Sequence, residues 1–96
     1  MERDEILRIL AEHRAEILQH DVKSLALFGS AACGEARADS DVDLLVEFNK
    51  AVGLFEFVRL QGYLEGILGR SVDLTTINAL RPRMREEILR EAVYAA

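Results

Sequence analysis

The sequence contains few of the residues that stabilise secreted proteins and lacks the positive charge that binds nucleic acids. Its 96 residues include one cysteine, one proline and no tryptophan. A single cysteine cannot form a disulfide within the chain, so we expect a reducing, cytoplasmic setting. The formal net charge of −5 argues against direct nucleic-acid binding, because contacts with phosphates need a basic surface. The length predicts a single domain, residues 1–96.

Membrane, export and P-loop signals are also missing. No apolar run approaches the ~20 residues of a membrane-spanning helix. The amino terminus, Met1-Glu2-Arg3-Asp4, lacks the basic and then apolar layout of a signal peptide. We therefore expect no membrane association. The chain has no G-x-x-x-x-G-K-[ST] motif, which excludes a P-loop as its means of binding a nucleotide.

Hydrophobic periodicity predicts an α/β (α+β) fold with a small mixed sheet of about three strands flanked by helices. The predicted helices are residues 4–19, 54–68 and 83–95, and the predicted strands are residues 22–28, 41–48 and 71–76. The middle helix is long enough to return the chain for parallel pairing of the second and third strands. Gly69 is predicted to end that helix, and Gly62 and Gly66 within it could permit close packing against a strand or a partner.

Two aspartates one residue apart are the most informative feature of the chain. In the second predicted strand Asp41 and Asp43 alternate with Val42 and Leu44, so the two carboxylates lie on one face, roughly 7 Å apart. Such carboxylates repel each other unless a cation lies between them, and hard divalent cations prefer carboxylate oxygens. A calcium loop starting at Asp39 is excluded, because its sixth position would be Leu44 rather than glycine.

A third acid and a glycine-serine pair belong to the same predicted edge of the sheet. Asp73 lies near the start of the third strand, level with Asp41 and Asp43 if strands two and three are parallel. The short link between strands one and two favours antiparallel pairing, which brings Gly29 and Ser30 to that edge. Three acids beside a glycine-serine turn indicate a metal-assisted site for a phosphate substrate.

Two runs of sequence carry a resemblance to a known family. They are Leu27-Phe28-Gly29-Ser30 and, after ten residues, Asp41-Val42-Asp43-Leu44-Leu45-Val46. This pattern resembles the signature of the DNA polymerase beta-type nucleotidyltransferase superfamily. More narrowly, most of the chain is similar to the minimal nucleotidyltransferases (MNT proteins), the antitoxin partners of HEPN-domain toxins. The resemblance implies a nucleotidyltransferase-like (palm) fold.

The resemblance also implies roles for individual residues. Asp41 and Asp43 would bind both Mg²⁺ ions of a two-metal site, and Asp73 would complete the ion that activates the attacking hydroxyl. Gly29 and Ser30 would hold the phosphates of ATP, the expected nucleotide. The chain departs from the family pattern at Cys33, where an arginine is usual, and Arg37 is the nearby residue that could take over its phosphate contact.

The activity implied by the resemblance is transfer of AMP from ATP to a hydroxyl of a cognate HEPN ribonuclease toxin. Tyrosine is the expected acceptor, and the protein could form an oligomer with the toxin. Two alternatives stay open from the residues themselves. One is a non-catalytic antitoxin that neutralises the toxin by binding alone. The other is a dimeric small-molecule nucleotidyltransferase of the aminoglycoside-modifying kind.

Overall fold

Helices and strands follow one another largely as the hydrophobic periodicity predicts. The computed structural model describes residues 3–29 and 41–95. Within these ranges no helix is both long and apolar enough to cross a bilayer. In chain order the elements are α1 (Arg3–Glu12), α2 (Arg14–Leu18), β1 (Val22–Phe28), β2 (Val42–Phe48), α3 (Leu54–Leu68), β3 (Val72–Thr76), a 3₁₀ turn (Ile77–Ala79), α4 (Pro82–Glu91) and β4 (Val93–Tyr94). The predicted mixed α and β fold class is confirmed.

The sheet is mixed, with the strand order β3-β2-β1-β4. β1 and β2 pair antiparallel, and β2 and β3 pair parallel with α3 as the crossover between them. Both pairings follow from the lengths of the connections, since a parallel pair needs a long return segment and an antiparallel pair does not. β3 therefore forms one outer edge of the sheet. Asp73 is a residue of this outermost strand.

One face of the sheet is buried beneath the helices. α3 contributes Leu60, Leu64 and Leu68, which recur every four residues and so share one side of the helix. α1 and α2 add further apolar side chains to the same layer. Together they cover the strand residues that alternate inward, and the buried cluster comprises Ile6, Leu10, Ile17, Val22, Leu25, Leu27, Val42, Leu44, Val46, Leu60, Leu64, Leu68, Val72 and Leu74. Alternation along β2 and β3 leaves Asp43 and Asp73 on the opposite face.

The end of the chain differs from the prediction of a helix over residues 83–95. α4 ends at Glu91, and the backbone at Ala92 is extended with ψ of 138°. Val93 then pairs with Leu27 of β1, and the N–H of Ala95 donates to the Leu25 carbonyl at 2.8 Å. Pairing with β1 satisfies these backbone groups and lets Val93 pack against the buried core, which a continued helix would not do. The sheet therefore has a fourth strand, which is only two residues long.

The first predicted helix is also interrupted. His13 has φ of −107° and ψ of 15°, and it separates α1 from α2. Its ring nitrogen Nδ1 lies 2.9 Å from the carbonyl oxygen of Ile9, four residues earlier. The backbone N–H of His13 also donates to the Ile9 carbonyl at 3.2 Å and to the Leu10 carbonyl at 3.3 Å, so α1 and α2 stay linked by hydrogen bonds across the break.

The glycines inside α3 do not pack closely against a strand. Gly62 and Gly66 are exposed, and a Cβ added at either would meet no atom of the described residues within 4 Å. We expect Gly62→Ala to stabilise the protein by up to about 1 kcal/mol, because glycine is the costlier residue in a helix interior. Urea denaturation measures this change. A loss of stability would mean that the outer side of α3 is covered by other atoms.

Candidate active site

The parallel pairing of β2 and β3 brings the predicted acids to one edge of the sheet. Asp43 and Asp73 are direct partners in the register, as the predicted topology requires. Asp41 lies immediately before β2, two residues from Asp43. Asp41 and Asp73 are exposed and Asp43 is half-buried. The structure thus gathers three carboxyl groups on one edge, open to solvent, while their roles stay a prediction.

Gly29 comes into contact with the middle acid of this group. It follows β1, whose last residue Phe28 pairs with Asp43. Its φ of +74° is a left-handed conformation that residues with a side chain rarely adopt. A Cβ added at Gly29 would overlap Oδ2 of Asp43 and lie 3.2 Å from its Cγ. Glycine is therefore favoured here by the backbone conformation, and an added Cβ would force the Asp43 carboxyl group to move.

The electrostatics of the edge disfavour the ionised form of Asp43. Burial, and after it the negative charges of Asp73 and Asp41, raise the pKa of Asp43 above its ordinary value of 3.8. Mutual repulsion of this kind costs folding free energy and serves no structural purpose. A bound cation would relieve it, because positive charge favours the ionised form of each carboxylate.

These three aspartates are the described residues that would hold a metal ion. Oxygen donors of this type suit Mg²⁺, which is usually bound through one or two carboxylates together with substrate phosphates and water. In residues 3–29 and 41–95, no group of three or more acidic, histidine or cysteine side chains is arranged so that it could hold a metal ion by itself. The three carboxyl groups share one edge without converging on one point, so a metal ion there would need further ligands from the substrate or from water. The donor chemistry therefore fits the ion that the sequence predicts.

The raised pKa of Asp43 predicts an unusual pH dependence of stability. Since the folded state raises this pKa, ionisation of Asp43 destabilises the fold at neutral pH, and the penalty disappears as the pH falls through the raised pKa toward 3.8. With EDTA at pH 7 we expect Asp43→Asn to be more stable than the wild type. The difference should shrink as the pH is lowered through that window.

Chemical denaturation at several pH values checks this expectation. Asp4→Asn is a matched control, because Asp4 is an exposed acid of α1 whose ion-pair partner among the described residues is Arg3, at 3.8 Å. A variant Asp43→Asn that is less stable than the wild type at pH 7 would show that favourable contacts, rather than repulsion, dominate around this carboxyl group.

Other predicted contacts lie outside the described residues. Ser30, Arg37 and the departure from the family pattern at Cys33 all fall between residues 30 and 40. Their predicted contacts with phosphates therefore stay predictions.

A cavity of about 780 Å³ lies at the other end of the parallel strand pair. It is formed where β2 and β3 end and α3 begins, and its lining includes Phe48, Phe57, Ile77 and Lys50. None of the predicted site residues that the structure describes lines it. Size alone would favour this cavity as a binding site, but the paired carboxyl groups and Gly29 predict that the chemistry takes place at the opposite end of the strands.

Two polar residues of α3, which the sequence did not predict as part of a site, lie beside the strand that carries Asp73. Gln61 Nε2 donates to the Val72 carbonyl at 2.9 Å, and the Val72 N–H donates to Glu65 Oε2 at 3.0 Å. The sequence contains one signal for them. They follow Leu60 and Leu64 directly and lie four residues apart, so they share a side of the helix next to its buried side.

Comparison with known proteins gives matches to nearly the whole chain. The family model described as "Nucleotidyltransferase domain" matches residues 5–95. The protein adenylyltransferase MntA of Thermococcus cleftensis is 41% identical over 92 residues, which cover 95% of this chain and 93% of that protein. A solved structure of a candidate minimal nucleotidyltransferase matches with a TM-score of 0.86 and 40% identity, covering 97% of this chain and 95% of the other.

A more distant match involves a toxin-antitoxin complex. A chain in the complex of a tri-AMPylated Shewanella oneidensis HEPN toxin with an MNT antitoxin matches with a TM-score of 0.66 and 15% identity, covering 94% of this chain and 71% of that one. At this identity the match shows a shared fold. The chain described here belongs to the nucleotidyltransferase domain family. Its resemblance to the minimal nucleotidyltransferases, the narrower group, is confirmed by the homology to MntA and by the solved structure that is 40% identical.

Proposed function

We propose that this chain is an antitoxin that transfers AMP from ATP to a hydroxyl group of a HEPN ribonuclease toxin, with tyrosine as the acceptor. The observation that carries the proposal is the pairing of Asp43 with Asp73 beside Gly29, at an edge where negative charges repel one another. A bound metal cation would supply the positive charge that these carboxyl groups need, and a phosphate substrate would complete the site. The homology to a protein adenylyltransferase over nearly the whole chain supports the choice of reaction.

Each predicted site residue has a part in the proposed reaction. Asp41, Asp43 and Asp73 would hold Mg²⁺, which when bound supplies charge neutralisation for the phosphates and activation of the acceptor hydroxyl. Gly29 leaves room for the triphosphate to approach the backbone closely at the end of β1. Ser30 and Arg37 are expected to contact the phosphates. The acceptor oxygen would attack the α-phosphorus in line, the bond to the β-phosphate would break, and pyrophosphate would leave.

The exposure of the site suits a protein as the acceptor. Asp41 and Asp73 both face solvent, so a hydroxyl presented on the surface of another protein can reach them. Transfer of AMP would add bulk and negative charge to the toxin. Placed where RNA phosphates bind, that charge would repel the RNA, which is a sufficient physical reason for neutralisation.

Incubation of the protein with labelled ATP, Mg²⁺ and the HEPN protein tests the proposal. We expect the mass of the toxin to rise by one or more AMP units and its ribonuclease activity to fall. Neutralisation of the toxin without any label would favour a non-catalytic antitoxin. Labelling of an added aminoglycoside, with none on the toxin, would favour a small-molecule nucleotidyltransferase.

A further inference from the structure

The outer edge of β3 is occupied by two side chains of a helix. Because β3 is the last strand on its side of the sheet, no strand pairs with its outer backbone groups within the described residues. At Val72 those groups are nevertheless satisfied. Gln61 donates to the Val72 carbonyl at 2.9 Å and Glu65 accepts from the Val72 N–H at 3.0 Å. We call Gln61 and Glu65 the edge clamp.

The start of β3 is thereby held from both sides. The N–H of Val42 donates to the Ser71 carbonyl at 2.9 Å, which ties residue 71 to β2. The edge clamp ties the next residue, Val72, to α3. Asp73 follows directly and is the partner of Asp43. Its carboxyl group therefore extends from a strand start that is hydrogen-bonded both to β2 and to α3.

If the edge clamp were missing, two physical effects would displace Asp73. The negative charges of Asp43 and Asp73 push the two strands apart, since like charges on directly opposed residues destabilise the pairing. An edge strand is also free to fray or to shift its register, and a shift by one residue moves every side chain to the other face of the sheet. The edge clamp opposes both effects at the residue next to the acid.

We propose that Gln61 and Glu65 are positioning residues that hold Asp73 opposite Asp43 for metal binding and AMP transfer. The part concerning transfer rests on the function proposed above, while the part concerning the metal does not. Both side chains act through backbone groups of Val72: Glu65 through its N–H and Gln61 through its carbonyl. Removal of either weakens the site without touching a carboxylate that would bind the ion.

The experiment compares Glu65→Ala with Glu65→Gln and Glu56→Ala. Glu65→Gln keeps an oxygen that can accept from the Val72 N–H. Glu56→Ala is the matched control, because Glu56 lies on the same helix and forms a surface ion pair with Arg59 at 3.5 Å. Hydrogen exchange at the Val72 and Val42 amides reports on the two bonds at the start of β3. Titration with Mn²⁺ alone reports on the metal site, and steady-state AMP transfer gives kcat and KM for ATP.

For Glu65→Ala we expect faster exchange at both amides and a fall of about 10-fold or more in Mn²⁺ affinity and in kcat, as is typical when a residue that orients a metal ligand is removed. KM for ATP should change less than kcat. Glu65→Gln should restore most of the lost affinity. Gln61→Ala removes only the bond to the Val72 carbonyl and should show the same changes in smaller measure, which provides a second variant if Glu65→Ala does not fold.

The outcomes separate this inference from the proposed function. If Glu65→Ala and Gln61→Ala keep the Mn²⁺ affinity, amide exchange and kcat of Glu56→Ala, the edge clamp has no positioning role and the inference is wrong. If the wild type binds Mn²⁺ but labels no toxin, the proposed function fails. The exchange and Mn²⁺ measurements then still decide whether Gln61 and Glu65 position Asp73.

Discussion

Asp43→Asn is expected to reduce AMP transfer by about 10³-fold or more while the fold is retained. Asp43 lies between the other two acids, and its replacement removes a formal negative charge without a change of shape. Loss of one charged metal ligand forfeits several kcal/mol of transition-state stabilisation, and each 1.36 kcal/mol corresponds to about a factor of ten in rate. The stability should not fall, because repulsion and burial already disfavour the charge at this position.

Transfer of label from ATP to the toxin at saturating Mg²⁺ measures this loss. The control is again Asp4→Asn, which makes the same change of charge on the exposed surface of α1 and should transfer AMP at the wild-type rate. Circular dichroism establishes that both variants are folded. Full transfer by Asp43→Asn would remove this residue from the reaction, and with it the reason for assigning a metal to this edge.

Gly29→Ala is expected to cause the second largest effect, and here stability and activity should fall together. The alanine would need a left-handed backbone conformation, which costs roughly 1–2 kcal/mol for a residue with a Cβ. The Cβ would also overlap Oδ2 of Asp43 and push the carboxyl group out of place. Since a displacement of about 1 Å at a reacting centre can cost 10²-fold in rate, we expect a fall in transfer of about that size.

Gly69→Ala separates the two contributions. Gly69 ends α3 with φ of +66°, close to the value at Gly29, but an added Cβ there would meet no described atom within 4 Å. It should lose the same 1–2 kcal/mol in urea denaturation and keep its transfer activity. Equal activity of the two variants would show that contact between Gly29 and Asp43 does not matter for the site.

Much of this architecture follows from local patterns in the sequence. Alternation of Asp41 and Asp43 with apolar neighbours predicts which face of β2 carries the acids, because the period of a strand is two residues. The length of the segment between β2 and β3 predicts a parallel pair, and this alone places Asp73 level with Asp43. Both steps depend on spacing along the chain and on no distant contact.

The features that sequence patterns did not predict depend on tertiary contacts. β4 is two residues long, and Val93 and Tyr94 form a strand only because β1 offers a free edge beside them. Gln61 and Glu65 look like ordinary polar residues of an amphipathic helix until the backbone of Val72 is placed next to them. Val93 and Leu27 lie far apart in the sequence, and Gln61 and Glu65 contact Val72 from a different element, so the local pattern of neither segment marks these contacts.

The edge clamp also affects the tendency of the protein to aggregate. The exposed border of a β-sheet is a template on which other chains can add strands, and proteins that leave it bare are prone to aggregate. At Val72 the donor and the acceptor that an incoming strand would need are already taken by Glu65 and Gln61. The border that bears Asp73 is thereby guarded against intermolecular sheet growth, although no strand of the protein covers it in the part of the chain described.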